Sequence, residues 1–340
     1  MSLGGRIKLA RKANEMSMRA LAERIGISAM AISKYEKGLM NPTSEVLIRL
    51  ANALSVKVEY FFRPSPEKVS LVIYRKHASL QKKDQEAINA QIQEWLERYL
   101  EIESFLNLEK QPFDLIKKFP INTLDDAEEA ADSVRKKWEL GFDPVDDLID
   151  CLESRNIKIH QLDCTNDFDA CTFLHDHSPV IAINNNFPGD RQRFSIAHEL
   201  GHIILDVVDP DLVEKAANRF AGAFLFPKQA VFQELGKKRA SISLEEIYLI
   251  KHKFGISMQA IIYRARDLGI ISENLYQQII KDFSVKGFRQ HEPGDQFIAE
   301  KPKRMEKLLL RLLSEEIINR SRAEELYDGK LFELGGIAAM

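Results

Sequence analysis

Apolar residues recur at helical spacing through most of this chain. Over residues 1–63 the stripes are short: Ile7, Leu9 and Ala10, then Leu21, Ala22 and Ile25, then Val46, Leu47, Leu50, Ala51 and Leu54. Residues three and four apart share one helix face, so each stripe predicts a short amphipathic helix. Polar punctuation separates them. Ser17 and Ser28 stand as N-caps, Gly26 and Gly38 as stops, and Pro42 with Ser44 introduces a fourth helix. The pattern predicts five helices: Gly4 to Asn14, one from Ser17 to Gly26, Ala29 to Lys37, one after Ser44, and Val58 to Phe62. Two short helices joined through Gly26 make a helix-turn-helix.

The middle of the chain reads differently. Pro64 and Pro66 suggest a hinge, and the first half of SLVIYRKHASL alternates like a strand. Lys82 to Asn107 is a long helix with Ile88, Ile92, Trp95, Leu96, Tyr99, Leu100, Ile102 and Phe105 in one stripe. That stripe packs on the same chain or on a second copy. Pro112 to Pro120 is a connector, Leu124 to Leu140 a helix ended by Gly141, and Asp143-Pro144 the start of another through Glu153. Ile157 to Leu162, Ala170 to Leu174 and Pro179 to Ile183 read as strands of a small sheet. His175 and His177, on the last turn, read as surface residues.

The next helix is apolar nearly all round, with Phe194, Ile196, Ala197, Leu200, Ile203, Ile204 and Leu205. Such a helix is buried. It also carries His198, Glu199 and His202, and buried imidazoles and carboxylates need partners. His198 and His202 are one turn apart on one face and can grip one metal ion, while Glu199 is placed to take a proton from water. Neutral imidazole suits Zn²⁺, which takes four ligands, so a third protein ligand comes from elsewhere. Gly201 implies that something packs close to that turn. After Asp209-Pro210-Asp211 a second helix runs from Leu212 to Phe226, stopped by Pro227. On it Glu214 and Asn218 share a face. Glu214 can complete a His-His-Glu site, and Asn218 can orient a ligand by a hydrogen bond. Downstream, Ser243 to Phe254, Gly255 and Ser257 to Leu268 repeat the helix-turn-helix shape, with Tyr263 and Arg264 read as packing residues. Residues 271–340 give further helices and a polar loop around Gly287 to Lys303.

Composition adds two points. The 340 residues, 45% hydrophobic and 29% charged, suit two or three globular domains. The net charge of −3 conceals an uneven split. Residues 1–63 hold 11 Lys and Arg against 5 Asp and Glu, a net of +6, which leaves −9 for the rest. A basic end on an acidic body points to a nucleic-acid partner. Cys151, Cys164 and Cys171 form no disulfide framework or metal motif. With no signal segment and no apolar run approaching a membrane span, a cytoplasmic protein without membrane contact is expected.

Two resemblances sharpen these readings. LAERIGISAMAISKYEKGLMNPTSEVLIRLANAL resembles the Xre and Cro/phage-repressor family of DNA-binding domains. The resemblance implies a third helix in the major groove of double-stranded operator DNA. Ala29, Met30, Ser33 and Lys34 would then face base edges, and Arg11, Arg19, Lys37 and the helix N-terminus at Ser28 would face phosphates. Met18 replaces a frequent glutamine, and Ala29 and Met30 replace residues that are often polar.

RFSIAHELGHIIL followed by VEKAANRFAGAFLFP resembles the ImmA/IrrE family of metallopeptidases, related to thermolysin-like zincins. It implies that His198, His202 and Glu214 are zinc ligands and Glu199 the general base. Many relatives carry a second glutamate just before the Ala-Asn pair, where this chain has Ala216. The spacing of Glu214 to Asn218 matches the ligand and ligand-orienting pair of thermolysin-like enzymes. In zincins the small sheet lends an edge strand that pairs with the substrate backbone.

The expected fold is mainly α with a small β-sheet (α+β). A five-helix Xre-type domain spans 1–63, a strand and long helix 64–123, a zincin-like metallopeptidase domain 124–270, and a helical region 271–340. The expected function is a DNA-binding transcriptional regulator with a zinc endopeptidase that cleaves a regulatory protein such as a repressor under stress. The alternative is a non-proteolytic repressor or antitoxin-like regulator whose peptidase fold holds a partner such as a toxin. A homodimer suits two-fold operators.

Overall fold

A computed structural model describes residues 2–63, 72–73, 81–108, 113–165, 167–176 and 178–327. The described residues are mostly helical with two small sheets. In order, it runs α1 (Leu3–Ala13), α2 (Met18–Ile25), α3 (Ala29–Glu36), α4 (Ser44–Ala53), a 3-10 turn (Val58–Phe62), β1 (Val72–Ile73) and α5 (Lys82–Phe105). Next come β2 (Phe119–Ile121), α6 (Leu124–Lys137), α7 (Leu148–Glu153), β3 (Lys158–Leu162), β4 (Ala170–His175), β5 (Ser178–Asn184), α8 (Gly189–Ile204) and β6 (Leu205–Val207). The last stretch holds α9 (Pro210–Leu225), α10 (Lys228–Leu235), α11 (Leu244–Phe254), α12 (Met258–Asp267), α13 (Glu273–Val285), α14 (Arg304–Ser314) and α15 (Arg320–Leu326). The hinge at Pro64 and Pro66, the connector's Pro112, His177 and the residues after Tyr327 lie outside the described residues.

Two compact units form. One draws on Met1–Leu71, Lys76–Lys110 and Lys303–Met340, the other on Val72–Arg75 and Gln111–Pro302.

In the first unit the polar punctuation works as read. Side-chain oxygens of Ser2, Ser17, Ser28 and Thr43 accept N–H groups of α1, α2, α3 and α4. Each such cap stabilises by about 1 kcal/mol. The cap of α4 is Thr43 rather than Ser44, because Ser44 already has helical backbone. Gly26 ends α2 in the left-handed region, φ 71°, where a side chain is strained. Ile7, Leu21, Ile32 and Leu50 fill the core. The long α5 packs on α1. A buried Arg6–Glu97 ion pair joins them, and the Gln91 amide donates to Ala13 O at 3.0 Å. Arg304 reaches Glu103 at 3.6 Å, and Arg322 bonds Glu101, so α14 and α15 also lie on α5.

In the second unit a four-stranded sheet has the order β1-β4-β5-β3. Strands β3 and β5 are parallel, while β4 is antiparallel to β5 and to β1. Helix α8 lies on β4 and β5, α9 packs along α8, and α6 packs on α9. Gly201 allows the closest approach: a Cβ there would stand 3.2 Å from Ala217 Cα. The neighbour inferred from that glycine is therefore α9. Helix α7 starts at Leu148, capped by Asp147, one turn later than Asp143-Pro144 suggested. His175 is buried, not on the surface, because it closes β4 against Ser178 rather than standing on the turn.

Both ends of α8 are braced, at the C-terminus by the connector before α6 and at the N-terminus by the polar loop around Gly287 to Lys303. At its C-terminus, the Lys117 ammonium donates to the carbonyls of His202 and Leu205, both at 2.8 Å, groups that a helix end leaves unpaired. Burial lowers the Lys117 pKa, partly offset by Asp206. Strand β6 then pairs in parallel with β2 where a plain turn was expected. At its N-terminus, Gly189 N donates to Phe297 O at 3.1 Å. A Cβ on Gly189 would lie 2.5 Å from Ile298 O, so that approach requires glycine. Buried Arg193 pairs with Glu300, which also accepts Ile149 N at 2.9 Å. Fully buried Lys251 lies 2.9 Å from Asp190 and 2.8 Å from Glu292. The expected polar loop is thus a strap.

Candidate metal centre

The C-terminal half of α8 presents its two histidines toward α9. His198 Nε2 and His202 Nε2 are 2.9 Å apart. Glu214, on the second turn of α9, places its oxygens 3.6 Å from His198 Nε2 and 3.7 Å from His202 Nε2. These three residues form a cluster whose ligand atoms all lie within 4.8 Å of one another. Both histidines are buried, and the Glu214 side chain is 46% exposed, so the cluster opens on one side.

The donor set fits Zn²⁺. Ligand atoms about 2.1 Å from a tetrahedral zinc stand about 3.4 Å apart, and the three separations here run from 2.9 to 3.7 Å. Two imidazole nitrogens and a carboxylate oxygen are a three-ligand set that leaves one position open, as catalytic zinc sites do. Asn218 lies one turn after Glu214 on α9, and its Oδ1 is 2.9 Å from His198 Nδ1. An Nδ1–H donated to that oxygen leaves the Nε2 lone pair free for a metal.

Glu199 is 2% exposed and accepts a hydrogen bond from Thr172 Oγ1 at 2.7 Å. Thr172 sits on β4, so the strand beside the site holds this carboxylate in place. Sequence reading passed over Thr172. Its signal is a lone hydroxyl in the apolar run Ala170 to Leu174. Burial pushes the neighbouring Cys171 thiol well up, and the Glu199 charge adds to it.

Behind α9, Arg264 donates to both Glu128 oxygens, at 2.6 and 2.7 Å, and to Phe226 O. Burial raises the Glu128 pKa, but the bonds and charge of Arg264, with Arg219, outweigh it and hold the carboxyl below its usual range. Arg264 is therefore a brace of α6, α9 and α12, as its packing reading required. Tyr263 is half exposed.

In the first unit, Arg19, Ser28, Ala29, Met30, Lys34 and Lys37 are exposed and Ser33 is half-buried. They surround the N-terminal turns and outer face of α3. Arg11 departs from its expected place. It is buried against Glu36, with bonds at 2.5 and 3.0 Å, so it braces α1 to α3 instead of facing phosphate.

The comparisons with known proteins agree with this division. Residues 7–61 match the helix-turn-helix family, and residues 152–266 match the IrrE N-terminal-like domain family, Peptidase_M78. The chain joins a helix-turn-helix domain to an IrrE-like domain. The HTH-type transcriptional regulator ImmR of Bacillus subtilis (strain 168) is 25% identical over 148 residues, 44% of this chain and 97% of that protein. An uncharacterised HTH-type transcriptional regulator of Mycobacterium tuberculosis is 41% identical over 59 residues, 17% of this chain and 42% of that protein. Another, from Sinorhizobium fredii, is 37% identical over 65 residues, 19% of this chain and 46% of that protein. The chain thus spans less than half the length of these last two relatives. The IrrE-like match contains the whole cluster, His198, Glu199, His202, Glu214 and Asn218, together with Thr172. Among the described residues no helix is long and apolar enough to cross a membrane.

Proposed function

We propose that the chain is a DNA-binding transcriptional regulator whose IrrE-like domain is a zinc-dependent endopeptidase acting on a regulatory protein such as a repressor. The observation that carries this is the convergence of His198, His202 and Glu214 beside a buried glutamate on the same helix. His198, His202 and Glu214 would hold a zinc ion, which when bound would supply Lewis-acid polarisation of a scissile carbonyl. Asn218 Oδ1, by accepting from His198 Nδ1–H, would keep Nε2 of His198 available as a ligand. Glu199, kept in one orientation by Thr172, takes a proton from the attacking water and passes it to the leaving amine. The helix-turn-helix domain binds double-stranded operator DNA through α3, with Lys34, Lys37 and, on α2, Arg19 among the exposed cations of the domain. Two-fold operators suit a homodimer.

The relatives' names favour a second reading. Those compared are called transcriptional regulators, and a peptidase fold that only holds a repressor or toxin would serve that role without cleavage. Glu199→Gln separates the two, because it removes the base and leaves the three ligands. Host cells expressing wild type or Glu199→Gln are compared by proteome mass spectrometry, with and without stress. One protein fragmented only with the wild type supports the peptidase. Matching proteomes and unchanged promoter occupancy move the assignment to the binding regulator.

A further inference from the structure

Helix α8 ends abruptly, close after the second histidine of the candidate metal centre. Leu205 is extended, φ −79° and ψ 135°, and its N–H bonds Gly201 O. The chain then runs on as β6, without the left-handed cap that closes many helices. The carbonyls of His202, Ile203 and Ile204, in the last turn, have no helical N–H ahead of them and need donors from another segment. One dipeptide supplies them. Lys117 N donates to Ile203 O and Lys118 N to Ile204 O, both at 2.9 Å. Lys117 Nζ donates to His202 O and to Leu205 O, both at 2.8 Å.

The dipeptide is itself held on both sides. Leu115 is buried in the core of this unit, and Phe119 pairs with Leu205. Lys117 has φ 48°, in the left-handed region that residues with side chains rarely adopt. Such a conformation persists where the surroundings dictate it. In it, one residue meets the helix end with both its backbone N–H and its ammonium. The two histidines differ in what they need from this. His198 stands a full turn earlier, where its carbonyl is within reach of the His202 N–H. His202 stands in the last turn, where helices fray. Its Nε2 must nonetheless stay near His198 Nε2 and Glu214 Oε1, at 2.9 and 3.7 Å, for the three to share one ion.

We infer that Lys117 is a positioning residue of the candidate metal centre: by holding the carbonyl of His202 it fixes the last turn of α8, and with it the place of the His202 imidazole. The inference rests on the metal reading of the cluster and stands whether or not the metal serves cleavage. Lys117 precedes the IrrE-like domain of residues 152–266, so the ligand helix is completed by a part of the chain outside that domain. The last turn is ordered before an ion arrives, and less binding free energy is lost in ordering it. The ammonium also faces the negative end of the helix dipole, which favours a cation there.

The test measures the zinc affinity of the full chain by competition with a chromophoric chelator, with thiols kept reduced. His202→Ala marks whatever zinc binds elsewhere on the chain. Lys117→Met keeps the aliphatic stem and removes the donor. It is expected to bind zinc about tenfold more weakly, the lower end of the cost of losing a ligand-orienting contact. Lys117→Arg restores a cationic donor and is expected to bind within about threefold of wild type. Glu300→Gln weakens the brace at the other end of α8. It is expected to lower the urea midpoint and leave zinc affinity unchanged. Co²⁺ at saturation gives a second readout. Its visible ligand-field band is expected to shift in Lys117→Met and to stay in place in Glu300→Gln. Wild-type zinc affinity with an unmoved cobalt band in Lys117→Met overturns the inference. Equal weakening by Glu300→Gln and Lys117→Met also overturns it, because the effect is then a general loosening of α8. If Lys117→Met does not fold, Lys117→Gln, with a shorter and uncharged donor, is judged by the same limits. A wild-type chain that binds no more zinc than His202→Ala refutes the metal reading, and the inference falls with it. Tight binding by wild type and Lys117→Met alike keeps the metal reading and refutes the inference alone.

Discussion

Two helix pairs in this chain share one turn and differ in everything around it. Helices α2 and α3 meet through Gly26, Ile27 and Ser28, and α11 and α12 meet through Gly255, Ile256 and Ser257. Both glycines are left-handed, φ 71° and 61°, and both serines cap the following helix. Aligned on that turn, Ala29 and Ser33 of α3 correspond to Met258 and Ile262 of α12. The first two are exposed and half-buried, and the last two are fully buried. Local signals thus build the same turn twice, and the side chains on the outer face decide which pair is left open to a partner. One is a candidate DNA reader, and the other is scaffold behind the candidate metal site.

The difference is greatest at an inward position of the first helix, where α2 has Ala22 and α11 has Lys251, both buried. Lys251→Ala leaves Asp190 and Glu292 without their cation. Breaking a buried charge cluster costs about 4 kcal/mol, the largest effect expected here, measured by urea denaturation. Adding Asp190→Asn and Glu292→Gln to that variant should recover part of the loss. A cost under about 1 kcal/mol would show that water already screens the cluster.

A second contrast lies where Tyr35 of α3 corresponds to Arg264 of α12. Arg264 is tied to Glu128 by two hydrogen bonds, so Glu128→Gln should cost about 3 kcal/mol at pH 7. The sign with pH follows from the lowered carboxyl. Its folded pKa lies below the ordinary 4.5, so the contribution is complete above about pH 4.5 and is lost as pH falls through the folded value. The wild-type advantage over Glu128→Gln should therefore shrink between pH 5 and pH 3. An advantage that stays constant over that range would mean that the pair's charge contributes nothing.

These contrasts show what sequence alone conveyed. The helix-turn-helix, the small sheet and the two helices of the candidate metal site were legible because they rest on local signals: caps, left-handed glycines, four-residue spacing and alternation. Gly201 even announced its neighbour. What stayed hidden depends on distant partners. Lys117 reads as one more surface cation until β6 brings the end of α8 to it. Glu300, Glu292 and Phe297 sit in a polar stretch without periodicity, and their roles exist only against α8, α11 and α12. Arg11 stands among exposed cations in sequence, and only the position of Glu36 turns it inward. For the candidate site, helix spacing placed His198, His202, Glu214 and Asn218 on facing surfaces, but Thr172 came from another strand.

The turn glycines themselves should separate the pairs by a smaller amount. A Cβ at Gly26 would meet only Arg49 Nη1, at 3.9 Å, whereas one at Gly255 would stand 2.5 Å from Arg193 Nε and 2.9 Å from Phe297 Cζ. Gly26→Ala should cost about 1 kcal/mol from backbone strain alone. Gly255→Ala adds overpacking, for about 3 kcal/mol in total, read as paired shifts in urea midpoint. Equal costs would mean that Arg193 and the strap yield freely.

The smallest expected effect concerns charge on the outer face. Lys37 and Arg266 occupy corresponding positions after the turn. Lys37 is exposed, while the Arg266 guanidinium lies 4.0 Å from the Tyr263 ring centroid and 4.4 Å from that of Tyr276. If α3 faces phosphates, Lys37→Ala should weaken binding to any duplex and lower the slope of log K against log salt by about 1. Arg266→Ala should leave that slope unchanged, since its charge is already engaged by aromatic faces and Asp267. Non-specific duplex DNA suffices for the measurement, because phosphate contacts carry no sequence information. If both variants leave the slope untouched, α3 does not lie on DNA, and its exposed Ala29 and Met30 belong to a protein interface instead. If both lower it, the two pairs act on nucleic acid alike, and burial of Met258 and Ile262 has not removed α12 from that role.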